Sequence, residues 1–362
     1  MMRTHCLFAL FFLAFAVSFA QEGRVTLVFA GDAMQHTPQV YAAKTDSGYH
    51  YDSVFELVRH QISEADIVGV NFETTLGGKP YTGYPLFSSP NEYAVALENV
   101  GFNIFFTANN HALDTGKKGL EETIRVIKDT GAKQTGTFVS QKERDLHYPL
   151  MIIKNGIRIA FLNYTYGTNG LLEEKPNVIN LIDTVLIKDD IASAELLMPD
   201  IIIAVMHWGE EYHTSPSARQ KTLAQFLFNN NVPIIIGHHP HVVQPIQINK
   251  DDDAISQVVY YSLGNFISNQ RQPNTDGGML AEITLRKSQD DESVVIESAD
   301  YSFVWVHKYF KNGKAYYRLL PFDSTDAANS DTINHTNRYD LQPYELKTMK
   351  RFVESARRIV EN

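Results

Sequence analysis

The chain contains one cysteine, Cys6, so no disulfide framework and no cluster of thiolate ligands can organise it. A chain of 362 residues with 44% hydrophobic content does not need such staples, because its core is large enough to supply stability. Positive charge is also scarce: 32 Lys and Arg stand against 42 Asp and Glu, a formal net charge of -10. Such a surface disfavours nucleic acid as a partner. No internal repeat or low-complexity tract interrupts the sequence.

One uncharged apolar stretch, Leu7 to Val17, follows Arg3 and His5 and ends at Ser18-Phe19-Ala20. This arrangement reads as a signal peptide over residues 1–20 with the cut after Ala20, and so as an exported protein. The stretch is short for a membrane span, and Gln21-Glu22 after it lacks a cationic flank, so no stable span is expected once it is removed. An uncleaved anchor is the other reading. Cys6 precedes the apolar stretch and would leave with it, which places it badly for lipid attachment. Removal takes away one arginine and no carboxylate, leaving -11.

The body alternates strand and helix patterns. Apolar runs Val25 to Ala30, Ile67 to Val70, Ile104 to Ala108, Ile201 to Met206 and Ile234 to Ile236 read as strands. Helical spacing marks Tyr51 to Ser63, Lys117 to Thr130, Lys188 to Leu197 and Pro216 to Asn230. After Asn269, Met279 to Leu285, Val294 to Ile296, Tyr301 to His307 and Ala315 to Leu319 read as antiparallel strands, with a hairpin turn at Asn312-Gly313. Pro343 to Val360 reads as a closing helix, and Asp251-Asp252-Asp253 as a solvated turn.

Polar clusters follow these strands: Gly31-Asp32, Asn71-Phe72-Glu73, Asn109-Asn110-His111, His207-Trp208-Gly209, His239-Pro240-His241 and Gly264-Asn265. In an open α/β sheet, ligands bind outside the carboxyl ends of the strands, so residues distant in sequence converge there. Each cluster has a plainer reading. Asp32 suits a turn, Asn109-Asn110 suits an Asx-turn opening the next helix, and a lone His207 suits a satisfied core position. Asn71 and Glu73 alternate with Phe72, so they share one side of an extended segment. His239 and His241 are expected to share a face of an extended, proline-fixed segment, and imidazole is a common ligand for divalent metals. The spacing of His111 and Asp114 permits a hydrogen bond between them.

Together these segments resemble the CapA family, capsule or poly-γ-glutamate synthesis proteins whose domain is similar to metallophosphatases of the calcineurin-like phosphoesterase type. The resemblance rests on Gly31-Asp32-Ala33-Met34, Asn71-Phe72-Glu73, Ala108 to Gly116, His207-Trp208-Gly209-Glu210-Glu211-Tyr212, Gly237 to Gln244 and Tyr261 to Phe266, in the family's order. It covers residues 24–270 and leaves 271–362 as a C-terminal β extension and helix packing on the same body. It implies an α/β fold, a four-layer α/β/β/α sandwich, with one or two divalent metal ions of the Mn, Fe or Zn type.

By the same resemblance, Asp32, Glu73, Asn110, His207, His239 and His241 are the metal ligands. His111 is the general acid and Asp114 orients it. His36, Asn71, Asn109, Glu211 and Asn265 are expected to bind substrate. The chain departs from the phosphoesterase pattern at Met34, where a His is usual, and at Glu73, where an Asp is usual. A thioether cannot replace imidazole for a hard ion, so the first metal position is expected to be weak unless His36 swings in. Two functions stay open: a metal-dependent hydrolase acting on a phosphoester or a cell-surface polymer, and a component that holds such a polymer in a synthesis or export complex.

Overall fold

The computed structural model describes residues 23–288, 291–323 and 339–361. The expected signal segment, with Cys6, lies outside the described residues. Among the described residues, fourteen strands join one hydrogen-bonded sheet: β1 Arg24–Ala33, β2 Ile67–Phe72, β3 Ile104–Phe106, β4 Lys133–Thr135, β5 Leu150–Lys154, β6 Ile157–Thr165, β7 Ile201–His207, β8 Ile234–His238, β9 Ile246–Asp251, β10 Ala254–Tyr260, β11 Asn265–Ile267, β12 Gly277–Lys287, β13 Val294–Lys311 and β14 Lys314–Asp323.

The strand order is β4-β3-β2-β1-β12-β13-β10-β8-β7-β6-β5, with β9 on β10, β11 on β1 and β14 on β13. Strands β1 to β4 pair in parallel, as do β6, β7, β8 and β10. Strands β12, β13 and β14 are antiparallel. The two parallel halves are joined through β13, which meets β10 at Ile255–Ile296.

Period-two alternation divides the apolar side chains among three cores. Ile201, Ile203 and Val205 enter the same core as Val25, Leu27 and Phe29, so the two halves stack face to face. Phe161 on β6 bridges them, with its ring 6.3 Å from Phe29 and 6.1 Å from Phe106. On the outer face of the first half, Val28, Val68 and Val70 pack with helix α1 (Asn91–Val100) and the end of α2 (Gly116–Thr130). On the outer face of the second, Ile202, Ala204 and Met206 pack with α3 (Thr184–Leu196) and α4 (Ala218–Phe228). Helix, sheet, sheet and helix therefore form the four layers of an α/β sandwich. Helix α5 (Pro343–Glu361) places Met349, Phe352, Val353 and Ala356 in the inter-sheet core.

Two expected elements differ in form. The helix anticipated over Tyr51 to Ser63 is broken into Asp52–Phe55, a 3-10 turn at Glu56–Val58 and Arg59–Ser63. The tighter turn eclipses residues three apart and brings Phe55 and Val58 to one buried side. The separate strands anticipated at Val294 to Ile296 and Tyr301 to His307 are one strand, β13. Its backbone pairs with β12 and, from Ser302 onward, with β14, so the ladder carries it through the polar Glu297 to Asp300 segment. Asn312 and Gly313, both at positive φ, close its hairpin with β14 as a primed turn demands.

Candidate metal centre

The parallel strands deliver their polar ends to one edge of the sandwich. Asp32 at the end of β1 pairs in register with Asn71 on β2 and with Asn265 on β11, while His207 on β7 pairs with His238 on β8. The approach of β1 to the 264 turn requires glycine on both sides. A side chain at Gly31 would start 2.0 Å from the Gly264 carbonyl oxygen, and Gly264 itself has φ +68°. This closeness lets the Asp32 N–H donate to Gly264 O at 2.9 Å.

Across the junction of the two half-sheets, Asp32 gathers the first contacts. Its Oδ2 lies 3.0 Å from His241 Nδ1 and accepts the His239 N–H at 3.4 Å. Asn71 Nδ2 donates to Asp32 Oδ1 at 2.8 Å and to Glu73 Oε2 at 3.1 Å, fixing both carboxylates. Glu73 Oε1 lies 3.8 Å from His207 Nε2 and 3.7 Å from His241 Nε2. The rings of His207 and His239 are 4.8 Å apart, and those of His239 and His241 5.9 Å apart. Two sets, Glu73 with His239 and His241, and Asp32 with Glu73 and His207, each place ligand atoms within 4.8 Å of one another. Asn110 joins through its Oδ1, 2.9 Å from His207 Nε2.

The cluster is electrostatically uncomfortable without a cation. Burial pushes Glu73 well above the usual carboxylate range, and the nearby Asp32 and Glu211 charges push it further. Burial works the same way on Asp32, but its contacts with His238 and His241 outweigh it and hold that carboxyl well below its ordinary value. Burial holds His207 well below its usual value, with the His239 charge adding to it. His239 is lowered to about 3 by burial and then by His241. Glu73 Oε1 and His239 Nδ1 are buried with no hydrogen-bond partner among the described residues. The imidazoles of His207 and His239 that burial keeps neutral, the fixed carboxylates and the orphaned atoms gathered with them fit a divalent ion of the Mn, Fe or Zn type.

Beside this cluster, His111 Nδ1 meets Asp114 Oδ2 at 2.7 Å, and the same oxygen accepts the Phe87 N–H at 2.7 Å. The Phe87 ring lies edge-on to His111 at 4.7 Å. With Nδ1 turned to Asp114, Nε2 is the His111 nitrogen left outside this contact. Burial raises the Asp114 pKa, with the His111 contact opposing it.

A family model of the bacterial capsule synthesis protein PGA_cap matches residues 26–270. The chain belongs to this family. Among curated relatives, capsule biosynthesis protein CapA of Bacillus anthracis is 29% identical over 75% of this chain and 66% of its own length. The PGA biosynthesis protein CapA of Bacillus subtilis (strain 168) is 29% identical over 72% of this chain and 67% of its own. The PGA_cap chain thus aligns with about two-thirds of the length of these relatives. A solved structure of similar course is the calcineurin-like phosphoesterase YfkN from Bacillus subtilis, with a TM-score of 0.45 and 13% identity, covering 90% of this chain and 99% of that one. Overlaps this loose set no residue equivalences.

Within this PGA_cap chain, the residues expected at the substrate fall into two groups. Asn71, Asn109 and Asn265 face inward: Asn109 Nδ2 donates to Phe72 O at 2.8 Å, and Asn265 Nδ2 to Gln270 Oε1 and Thr275 O, each at 2.8 Å. Glu211 is exposed, with Oε1 4.0 Å from His241 Nε2. His36 belongs to neither ligand set; its Nδ1 accepts the Asn269 N–H at 3.3 Å. Met34 is buried.

The segment at His239 and His241 is not extended as expected. His239 has φ +98° and His241 φ +59°, because the chain turns sharply after β8, which brings the His239 N–H and the His241 ring to Asp32. Non-glycine residues held there cost about 1–3 kcal/mol each and cluster at functional sites. Sequence reasoning passed over Tyr166 and Asn169. The Tyr166 ring lies 4.5 Å from His239, and Asn169 Oδ1 accepts from Asn110 Nδ2 at 3.3 Å. Both follow β6, whose apolar run is the signal that could have pointed to its end.

Proposed function

We propose that this protein is exported and acts in the synthesis or processing of an anionic cell-surface polymer as a metal-dependent hydrolase of the phosphoesterase type. Asp32, Glu73, Asn110, His207, His239 and His241 would hold one or two divalent ions. When bound, such ions supply Lewis acidity toward a phosphoryl or carbonyl oxygen. The chain's own residues do the rest. His111, held by Asp114, presents Nε2 to donate a proton to a departing oxygen, and Phe87 packs against its ring. The observation that carries this reading is the buried, unpartnered Glu73 Oε1 between His207 and His241.

A second reading, a non-catalytic component that holds the polymer in an export complex, is favoured by Met34 and by the position of His36 outside both ligand sets. Elemental analysis and turnover of a chromogenic phosphodiester and of poly-γ-glutamate separate the two. The first reading expects bound transition metal in the wild type, less in His239→Ala, and full metal but about 10²–10⁴-fold less turnover in His111→Ala. Absence of metal after repletion defeats it. Polymer retention that survives chelation, without turnover, supports the second.

A further inference from the structure

Among the described residues, two cations stand beside the metal centre without an acidic partner. The chain after β11 runs from Asn265, in register with Asp32, to Asn269, Gln270 and Arg271. Lys308 lies on β13 and Tyr317 on β14. Arg271 Cζ is 5.9 Å from the centroid of the Tyr317 ring, and Lys308 Nζ is 5.7 Å from the same centroid. Asn269 ties the group together: its Oδ1 accepts from Lys308 Nζ at 3.0 Å and from Tyr317 OH at 2.6 Å, while its N–H donates to His36 Nδ1. His36 in turn lies edge-on to Phe87, which lies edge-on to His111. On the other side, Gln270 links Asn265 to the Tyr212 hydroxyl, and the Tyr212 ring is 6.1 Å from His241.

Among the described residues neither Arg271 nor Lys308 makes an ion pair with a carboxylate. Asp276, the carboxylate whose charge reaches Arg271, accepts from Trp305 Nε1 instead. In a chain with a net charge of -10, two neighbouring cations left unneutralised call for an anion from outside. Burial, and then the Arg271 charge, lower the Lys308 pKa, so the pair repels itself. Arg271 is exposed, and its planar fork suits a carboxylate or a phosphate.

We propose that Arg271 and Lys308 form an anion-recognition subsite that takes a carboxylate or phosphate group of the substrate next to the group held at the metal centre. This rests on the reading that substrate meets the Asp32 to His241 cluster. The subsite would hold a repeating anionic chain in register while the next linkage lies at His111, and it gives an acidic protein a local means of binding a polyanion.

Titration calorimetry on the metal-loaded full chain tests this, with a γ-linked tetraglutamate and inorganic phosphate as separate probes and metal content measured on each sample. Arg271→Gln and Lys308→Gln should each weaken binding by about tenfold, with melting temperature and metal content unchanged. Arg271→Lys should recover part of the loss. Loss confined to tetraglutamate assigns the subsite to carboxylates; loss confined to phosphate assigns it to phosphoryl groups. Unchanged affinity for both probes in Arg271→Gln, or no binding of either probe by the wild type, overturns the proposal. Chains that take no metal yet bind a probe through Arg271 would defeat the hydrolase reading and leave the subsite standing.

Discussion

Replacing Glu73 by glutamine should change stability with opposite signs in the two metal states. In chelated protein, Glu73 is a fully buried carboxyl with one orphaned oxygen, raised well above its ordinary range by burial, Asp32 and Glu211. Glutamine keeps the shape and removes the charge, so the chelated variant should melt no lower than the wild type. In loaded protein the balance reverses, because glutamine is a poorer ligand. At a metal concentration 100 times the wild-type dissociation constant, binding stabilises by about 2.7 kcal/mol. Even outer-shell changes weaken metal sites by about 10–100-fold, so a 100-fold loss is reasonable for a ligand. The variant would then gain only about 0.4 kcal/mol at the same concentration. At roughly 2 °C per kcal/mol for a chain of this length, the metal-induced shift should shrink by about 4–5 °C. Thermal melts of both proteins, with EDTA and with Mn or Zn, read this directly. Equal metal-induced shifts would refute the assignment of Glu73 as a ligand, and a chelated variant several degrees below the wild type would refute the electrostatic account.

Phe161→Ala should cost about 3–5 kcal/mol in urea unfolding, since its fully buried ring joins Phe29 and Phe106 across the two half-sheets; a loss below about 1 kcal/mol would contradict the inter-sheet packing. His36, lowered to about 4 mainly by burial, refuses in the folded state a proton that the unfolded chain takes below about 6.5. Chelated protein should therefore lose stability as pH falls from about 6.5 to 4, and His36→Gln should flatten that decline in pH-dependent melts; parallel curves would exclude His36 as a source.

Much of the scaffold was legible because side-chain periodicity is a local property. The runs before Asp32, Asn71, His207 and His239 alternate between cores as strands must, and Leu120, Ile124 and Ile127 mark α2 at helical spacing. Other elements escaped for equally physical reasons. Strand β13 passes through a polar stretch that only its neighbours' hydrogen bonds hold extended, and Tyr51 to Ser63 tightens where its buried side demands it. The His111–Asp114 contact followed from spacing; the engagement of Asn109 with Phe72 did not, because its partner lies on another strand.

The sequence by itself determined the strand ends and the residue types standing on them: carboxylates, amides and imidazoles after apolar runs. Only the tertiary structure decided which of them meet. Stacking of two half-sheets brings His241 to Asp32 and His207 to Glu73, a left-handed turn aims His239 and His241, and β13 and β14 carry Lys308 and Tyr317 to the loop of Arg271. Periodicity acts over a few residues, whereas these distances depend on pairings far apart in the chain and on backbone angles that no single residue type dictates.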